Sequence, residues 1–245
     1  MEENKFKFPT EVVELPSKGL LYPENSPLAS GKVEMKYMTA KEEDILTNQS
    51  YISKGNVLDK LLESLIVDKT IDVKDFIIGD KNALFVAARI LGYGKEYSFT
   101  YDGKEVTIDL SEVDNRPFDE ASVTKGVNEF SFTLPHSKNT VTYKILNGHD
   151  EKNINKEIEG LRKINKDASP ELSTRLKYVI TSVENDRDAK TIRNFVDSYL
   201  LAKDSRALRE HIKNTQPDVD LTFRTDSGEE VAIPVGISFF WPDAR

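Results

Sequence analysis

Three histidines, His136, His149 and His211, are the side chains of this 245-residue chain best suited to acid–base or metal chemistry near neutral pH. None has a partner at HExxH or HxH spacing, whereas a zinc site draws three or four ligands, commonly at helical or knuckle intervals. His136 and His149 fall at loop edges and read as solvated groups. His211 falls on the apolar face of a helix and reads as a packing residue. Cysteine is absent, which excludes disulfides, thiol catalysis and thiolate ligation. Gly92-Tyr93-Gly94 is a fragment of a phosphate-binding glycine pattern, but it lacks the third glycine and follows a helix, the reverse of the required order. Neither a P-loop lysine motif nor a GxSxG elbow occurs. Glu42, Glu43 and Asp44 cluster, yet the first turn of a helix favours negative charge without any catalytic role. A hydrolase built on carboxylates and one histidine would need His136 or His149 to converge with acidic groups in a concave pocket. No catalytic, cofactor-binding or metal-ligating residue is therefore assigned. The chain reads as a non-enzyme that presents surfaces to partners.

Composition fits that reading. The net charge is −8, and phosphate binding needs a basic footprint, so nucleic acid is not expected as the partner. The balance is uneven: residues 151–214 hold 14 Lys/Arg against 11 Asp/Glu, a net of +3 that leaves −11 on the remainder. This block reads either as solvated helix faces or as a docking face for an acidic partner. Apolar residues are 38% and charged residues 31% of the chain, and branched aliphatics and aromatics occur throughout, as a folded chain requires. No run approaches the ~18 apolar residues of a membrane span. The opening MEENKFKFPTEVVELP is acidic and lacks the apolar core of a secretory leader.

The elements that must position these groups follow from periodicity and punctuation. Residues 1–31 are broken by Pro9, Pro16, Gly19, Pro23, Pro27 and Gly31 and read as a sticky arm that lies on the body or on a partner. Lys32 to Met38 alternates as a half-buried strand. Thr39 with Glu42 forms a capping box for a first helix. A second helix spans about 56–67 with a stripe of Leu58, Leu61, Leu62, Leu65 and Ile66. A third is capped by Asp80 and ended by Gly92 and Gly94. Residues 97–101 and 104–108 flank Asp102-Gly103, a two-residue hairpin turn. After a loop over 111–128, a second β pair covers 129–134 and 140–146. Four helices are then expected: one over 151–165 with Asp150 as candidate cap; one opened by Ser169-Pro170 with Leu172, Leu176, Val179, Ile180 and Val183 on its core face; and two more capped by Asp188 and Asp204. Pro217 stops the last, and 219–223 pairs with 229–233.

The expected fold class is α+β, helical segments with small antiparallel hairpins. Its parts are 1–38 (N-terminal arm and strand), 39–95 (helical region), 96–150 (antiparallel β region), 151–216 (four-helix segment) and 217–245 (C-terminal β element). The extended segments at the two ends are candidates to pair in one sheet, which would make a single interleaved domain. Candidate partner-binding residues are the aromatics of the arm and chain end, Phe6, Phe8, Tyr22, Phe239, Phe240 and Trp241, together with Arg187, Arg193, Arg206 and Arg209. The arginines read either as a basic stripe or as surface pairs with Asp186, Asp188, Asp204 and Glu210. The three adjacent aromatics at 239–241 either close the core as a buried strand or anchor a partner.

Several stretches carry a family likeness: ELPSKGLLYPENSPL (14–28), MTAKEEDILTN (38–48), LLESLIVDK with IGDKNALFVAARILGYG (within 61–94) and SFFWPD (238–243). Together they resemble the baseplate hub assembly proteins of T-even-type contractile-tailed bacteriophages, in the same order over nearly the whole chain. The most specific pieces are Leu15-Pro16-Ser17-Lys18-Gly19, Thr39-Ala40-Lys41-Glu42-Glu43 and Gly79-Asp80. The resemblance implies a protein needed to build the central plug of the tail, with other baseplate and hub proteins as partners. It implies work in the host cytoplasm during assembly, or a permanent place in the virion baseplate as the alternative. Relatives place cysteine pairs after the Tyr-Gly turn, suggesting a zinc knuckle. The matching EYSFTYDGKEVTIDL (96–110) has none, so no structural zinc is expected, and the Asp102-Gly103 turn with the Tyr97/Phe99/Tyr101 face takes that role.

Overall fold

A computed structural model describes residues 9–166, 169–225 and 228–240. The class is α+β: eight α-helices among the described residues, with small antiparallel sheets of two or three strands. Buried side chains gather into two cores.

The first core is built around a central helix, α4 (Ile78–Tyr93). Buried residues lie all around α4, including Leu84, Phe85, Val86 and Ala88, as in a helix wrapped by other elements on every side. Strand β1 (Thr10–Glu14) pairs antiparallel with β2 (Lys32–Lys36). Helices α1 (Ala40–Leu46) and α2 (Gln49–Ser53) precede α3 (Val57–Leu65). α3 buries Val57, Leu61, Leu62 and Leu65 at the spacing of one helix face. Hairpin β3 (Glu96–Tyr101) and β4 (Lys104–Asp109) turns at Asp102 and Gly103, both at positive φ (48° and 72°), the conformation its Asp-Gly signal requires.

The supposed arm is part of this core. Leu15, Leu21, Tyr22 and Leu28 are each 5% exposed or less. Its prolines punctuate a tightly packed path rather than a loose one, because its turns return apolar side chains to the first core. Val219, Ile233, Phe239 and Phe240 belong to the same core. Strands β8 (Thr222–Arg224) and β9 (Glu230–Ala232) pair with each other, and a 3-10 turn over Ile237–Phe240 follows. Among the described residues the two terminal segments do not share a sheet: β1 pairs only with β2 and β8 only with β9. They meet the common core through side chains instead of a backbone ladder.

The second core lies between a three-stranded sheet and the later helices. The sheet has the order β5 (Phe130–Thr133), β6 (Thr140–Tyr143), β7 (Ile180–Val183). The helices are α5 (Gly148–Ile164), α6 (Glu171–Val179), α7 (Ala189–Ser198) and α8 (Ala202–Thr215). Strand β7 corrects the sequence expectation. Ile180 and Val183 are buried, but in a strand against β6 rather than on a helix face, and Leu172 is 47% exposed. The run Ile-Thr-Ser-Val, three of whose four residues are β-branched, takes the pleated geometry once β6 offers a ladder. Cross-strand hydroxyls then bond, Thr142 to Thr181 at 2.7 Å and to Ser182 at 2.6 Å. The four helices expected over 151–216 are therefore interrupted by a strand.

Three expected caps are displaced by the same amount. α4, α5 and α8 begin after Ile77, Asn147 and Leu201, so Asp80, Asp150 and Asp204 are the third residues of their helices. The helix dipole favours a carboxylate at either place, which is why the sequence signal could not separate them.

Candidate interaction surfaces

Four of the carboxylates at third helical positions, Glu42, Asp80, Asp150 and Asp204, are buried. Each ties its helix to another segment. Asp80 accepts from the Ser17 amide (2.9 Å), the Ser17 hydroxyl (2.6 Å) and the Tyr22 hydroxyl (2.6 Å). Burial pushes its pKa up, and the Ser17 and Tyr22 bonds only partly offset this. Asp204 accepts from the amides of His136 (2.8 Å) and Ser137 (2.9 Å), pinning the β5–β6 loop to α8. Asp150 accepts from Lys144 at 2.7 Å and from the Asn147 amide at 3.3 Å.

Glu42 accepts from the Thr39 amide (2.9 Å) and hydroxyl (2.7 Å), Lys36 (2.8 Å) and Ser64 (2.6 Å). Burial pushes this carboxyl up, but the bonds from Lys36, Ser64 and Thr39 outweigh it and hold the pKa at about 2, below the ordinary 4.5. A depressed folded pKa stabilises fully above the unfolded value and loses that contribution as pH falls through 4.5 towards 2. A Glu42→Gln variant, titrated by chemical denaturation, is expected to lose stability less steeply than the parent over that window. Parallel curves would remove Glu42 as an acid-sensitive tie.

The candidate partner residues that fall among the described residues are dispersed. Tyr22, Phe239 and Phe240 are buried at 5%, 0% and 0% exposure, which corrects their reading as exposed anchors. Tyr22 is turned inward by the Asp80 bond, and its hydroxyl also receives the Ile77 amide at 3.1 Å. Phe239 packs edge-on to Tyr97 (4.8 Å between centroids) and Phe240 to Phe85 (6.0 Å). The aromatics at 239–240 therefore close the core, in a 3-10 turn rather than a strand. Phe6, Phe8 and Trp241 lie outside the described residues.

The four arginines form no unpaired stripe. Arg187 makes a two-bond fork on Glu129 (2.8 and 2.7 Å), and with the Thr181 hydroxyl it holds Glu129 at about 2. Arg193 makes a similar fork on Glu157 (2.7 and 2.8 Å), which also receives the Tyr178 hydroxyl, and the Arg193 bonds lower the Glu157 pKa. Arg206 pairs with Glu210 one turn on, and Arg209 donates to the Ser205 carbonyl. Of the partners expected from nearby sequence, only Glu210 is used. Glu129 and Glu157 come from β5's approach and from α5, far away in the chain.

The histidines sit apart from one another. His149 Nε2 lies 3.0 Å from Asp75 Oδ1 and 3.7 Å from Asp72 Oδ2, with all three side chains about half exposed on an open surface. His211 stacks on Phe132 at 4.4 Å, and burial pushes its pKa down, so it is a neutral packing group at pH 7. No group of three or more His, Cys, Asp or Glu among the described residues is arranged to hold a metal ion. No helix among them is long and apolar enough to cross a membrane.

Two concave surfaces stand out among the described residues, and periodicity gave no sign of either. One is an aromatic cleft of about 640 Å³ between the 117–122 loop and α8, with Phe118, Phe130, Tyr143 and His211 in its wall. The other is a larger groove of about 760 Å³ along the seam between the two cores. One wall is α5 from Gly148 to Arg162; the other is residues 54–59 with 74–81. Comparison of the chain with protein-family models, with curated proteins and with solved structures finds no match.

Proposed function

We propose that this chain is an assembly factor of the contractile-tail baseplate hub, a protein that binds hub subunits while they are put together and performs no catalysis. The observation that carries the reading is spatial: the pieces on which the family likeness is most specific interlock in one framework. Ser17 of the Leu15–Gly19 piece and Asp80 of the Gly79-Asp80 piece share two hydrogen bonds across 63 residues of chain. Glu42 of the Thr39–Glu43 piece gathers Lys36, Thr39 and Ser64. Gly79 lies where residues 217 and 218 cross α4. Residues of that kind specify a fold and the surface it carries, as expected of a likeness between interaction proteins. His211 packs, the buried carboxylates tie helix starts to other segments, and His149 meets Asp72 and Asp75 on exposed surface outside either concave site, which gives the hydrolase reading no support. The work would take place in the host cytoplasm among baseplate and hub proteins.

Affinity capture of the tagged chain from infected cells, beside quantitative mass spectrometry of purified particles, tests this. Capture of hub proteins with absence from particles is the expected result. A fixed copy number in particles would make the chain a permanent virion component instead. Capture of no tail protein would overturn the reading.

A further inference from the structure

The seam groove has the shape and charge of a docking site for one class of partner. Six cations line it against three carboxylates, on a chain whose net charge is −8. Two of the six are engaged: Lys81 with Asp59 and Arg162 with Glu171. Lys54, Lys74, Lys152 and Lys156 make no ion pair among the described residues. Of the carboxylates, Glu151 is already forked by Arg175. The floor is apolar: Phe76, Leu146 and Ile158 lie beneath, and Ile78 stands 41% exposed beside them.

Lys152 and Lys156 are one helical turn apart on the exposed side of α5. Lys74 lies against the start of the same helix, so close that a Cβ on Gly148 would be 2.8 Å from the Lys74 Cα. The lysines thus stand on both walls, facing a shared apolar floor. The α5 wall from 148 to 162 rises about 21 Å, the length of six or seven extended residues.

We infer that this groove receives an acidic, apolar-centred peptide segment of a protein partner, with carboxylates meeting Lys74, Lys152 and Lys156 and an apolar side chain resting on Ile78. A polyanionic nucleic acid fits less well. It would meet Asp59 and Glu159 in the same groove, and it has no use for an apolar floor. Opposite charge across the rim would accelerate encounter and select against basic segments. The inference deepens the interaction-protein reading and rests on it for the existence of a partner.

The test is fluorescence polarisation of the full chain with a labelled nine-residue peptide, glutamates flanking a central leucine and phenylalanine. The double variant Lys152→Glu/Lys156→Glu changes only exposed side chains and is expected to keep the parent melting temperature. It is expected to bind the glutamate peptide at least about tenfold more weakly, and to bind the same peptide with lysines in place of glutamates more tightly than the parent does. Equal binding of the glutamate peptide by parent and variant overturns the inference. So does a preference of the parent for a single-stranded DNA oligonucleotide of equal charge. Failure here would leave capture of hub proteins untouched, and failed capture would leave the groove's peptide binding standing, so the two readings can fall separately.

Discussion

Deleting residues 1–22 is expected to unfold the first core, not to release an appendage. The segment supplies Leu15, Leu21 and Tyr22, all nearly or fully buried. Burial of three such side chains contributes roughly 5–8 kcal/mol, comparable with the whole stability of an ordinary domain. The deletion also removes β1 from β2 and strips Asp80 of the Ser17 amide, the Ser17 hydroxyl and the Tyr22 hydroxyl. A single substitution isolates the last effect. Asp80→Ala leaves three donors without an acceptor in a site closed to water, at a cost of roughly 3 kcal/mol or more. Circular dichroism melts of the deletion and the substitution check both. A deletion that melts within a few degrees of the parent would restore the arm as a detachable element.

The second large effect is expected at Gly79. This residue is buried in the first turn of α4, and the chain crosses directly over it on its way from α8 to β8. A Cβ placed there would lie 1.9 Å from the Pro217 carbonyl oxygen and 2.8 Å from the Asp218 Cα. Both are backbone atoms, so no rotamer change relieves the clash, and the whole 217–219 crossing must lift. That crossing carries the Arg116 amide bond to the Asp218 carbonyl (2.8 Å), the Asn82 bond to the Asp218 carboxylate (3.0 Å) and the buried Val219. Overpacking a core ordinarily costs about 1–3 kcal/mol. With backbone on the receiving side, Gly79→Ala is expected at or above the top of that range, about 3–5 kcal/mol. Gly160, where an added Cβ meets nothing within 4 Å, is the control: Gly160→Ala should leave stability unchanged or raise it by up to about 1 kcal/mol. Urea denaturation of the two variants gives the comparison. Equal midpoints would mean that the crossing yields easily.

Local chemistry made much of the secondary structure readable from the sequence. The Asp102-Gly103 hairpin was legible because its turn geometry depends on two adjacent residues. The α3 stripe was legible because four buried residues recur at helical spacing within nine. The capping box at Thr39 and Glu42 was legible for the same reason. The strand β7 was not. Its residues continue a helical apolar pattern, and only β6, some 40 residues earlier, turns them into a ladder. The caps at Asp80, Asp150 and Asp204 were located to within one turn and no better, since the dipole rewards a carboxylate at either end of that turn.

The amino-acid sequence by itself determined the class, most of the elements and the absence of cysteine chemistry, because these depend on composition and on neighbours a few residues apart. Only the tertiary structure decided which exposed-looking groups are core. Tyr22 and Phe239 have no local signal of burial; they are inside because Asp80 and Tyr97, more than 50 and 140 residues away, meet them there. Only the tertiary structure joined Arg187 to Glu129 and Arg193 to Glu157. It alone set lysines 54, 74, 152 and 156 around one groove, because a surface shared by two cores exists only after both have folded and met.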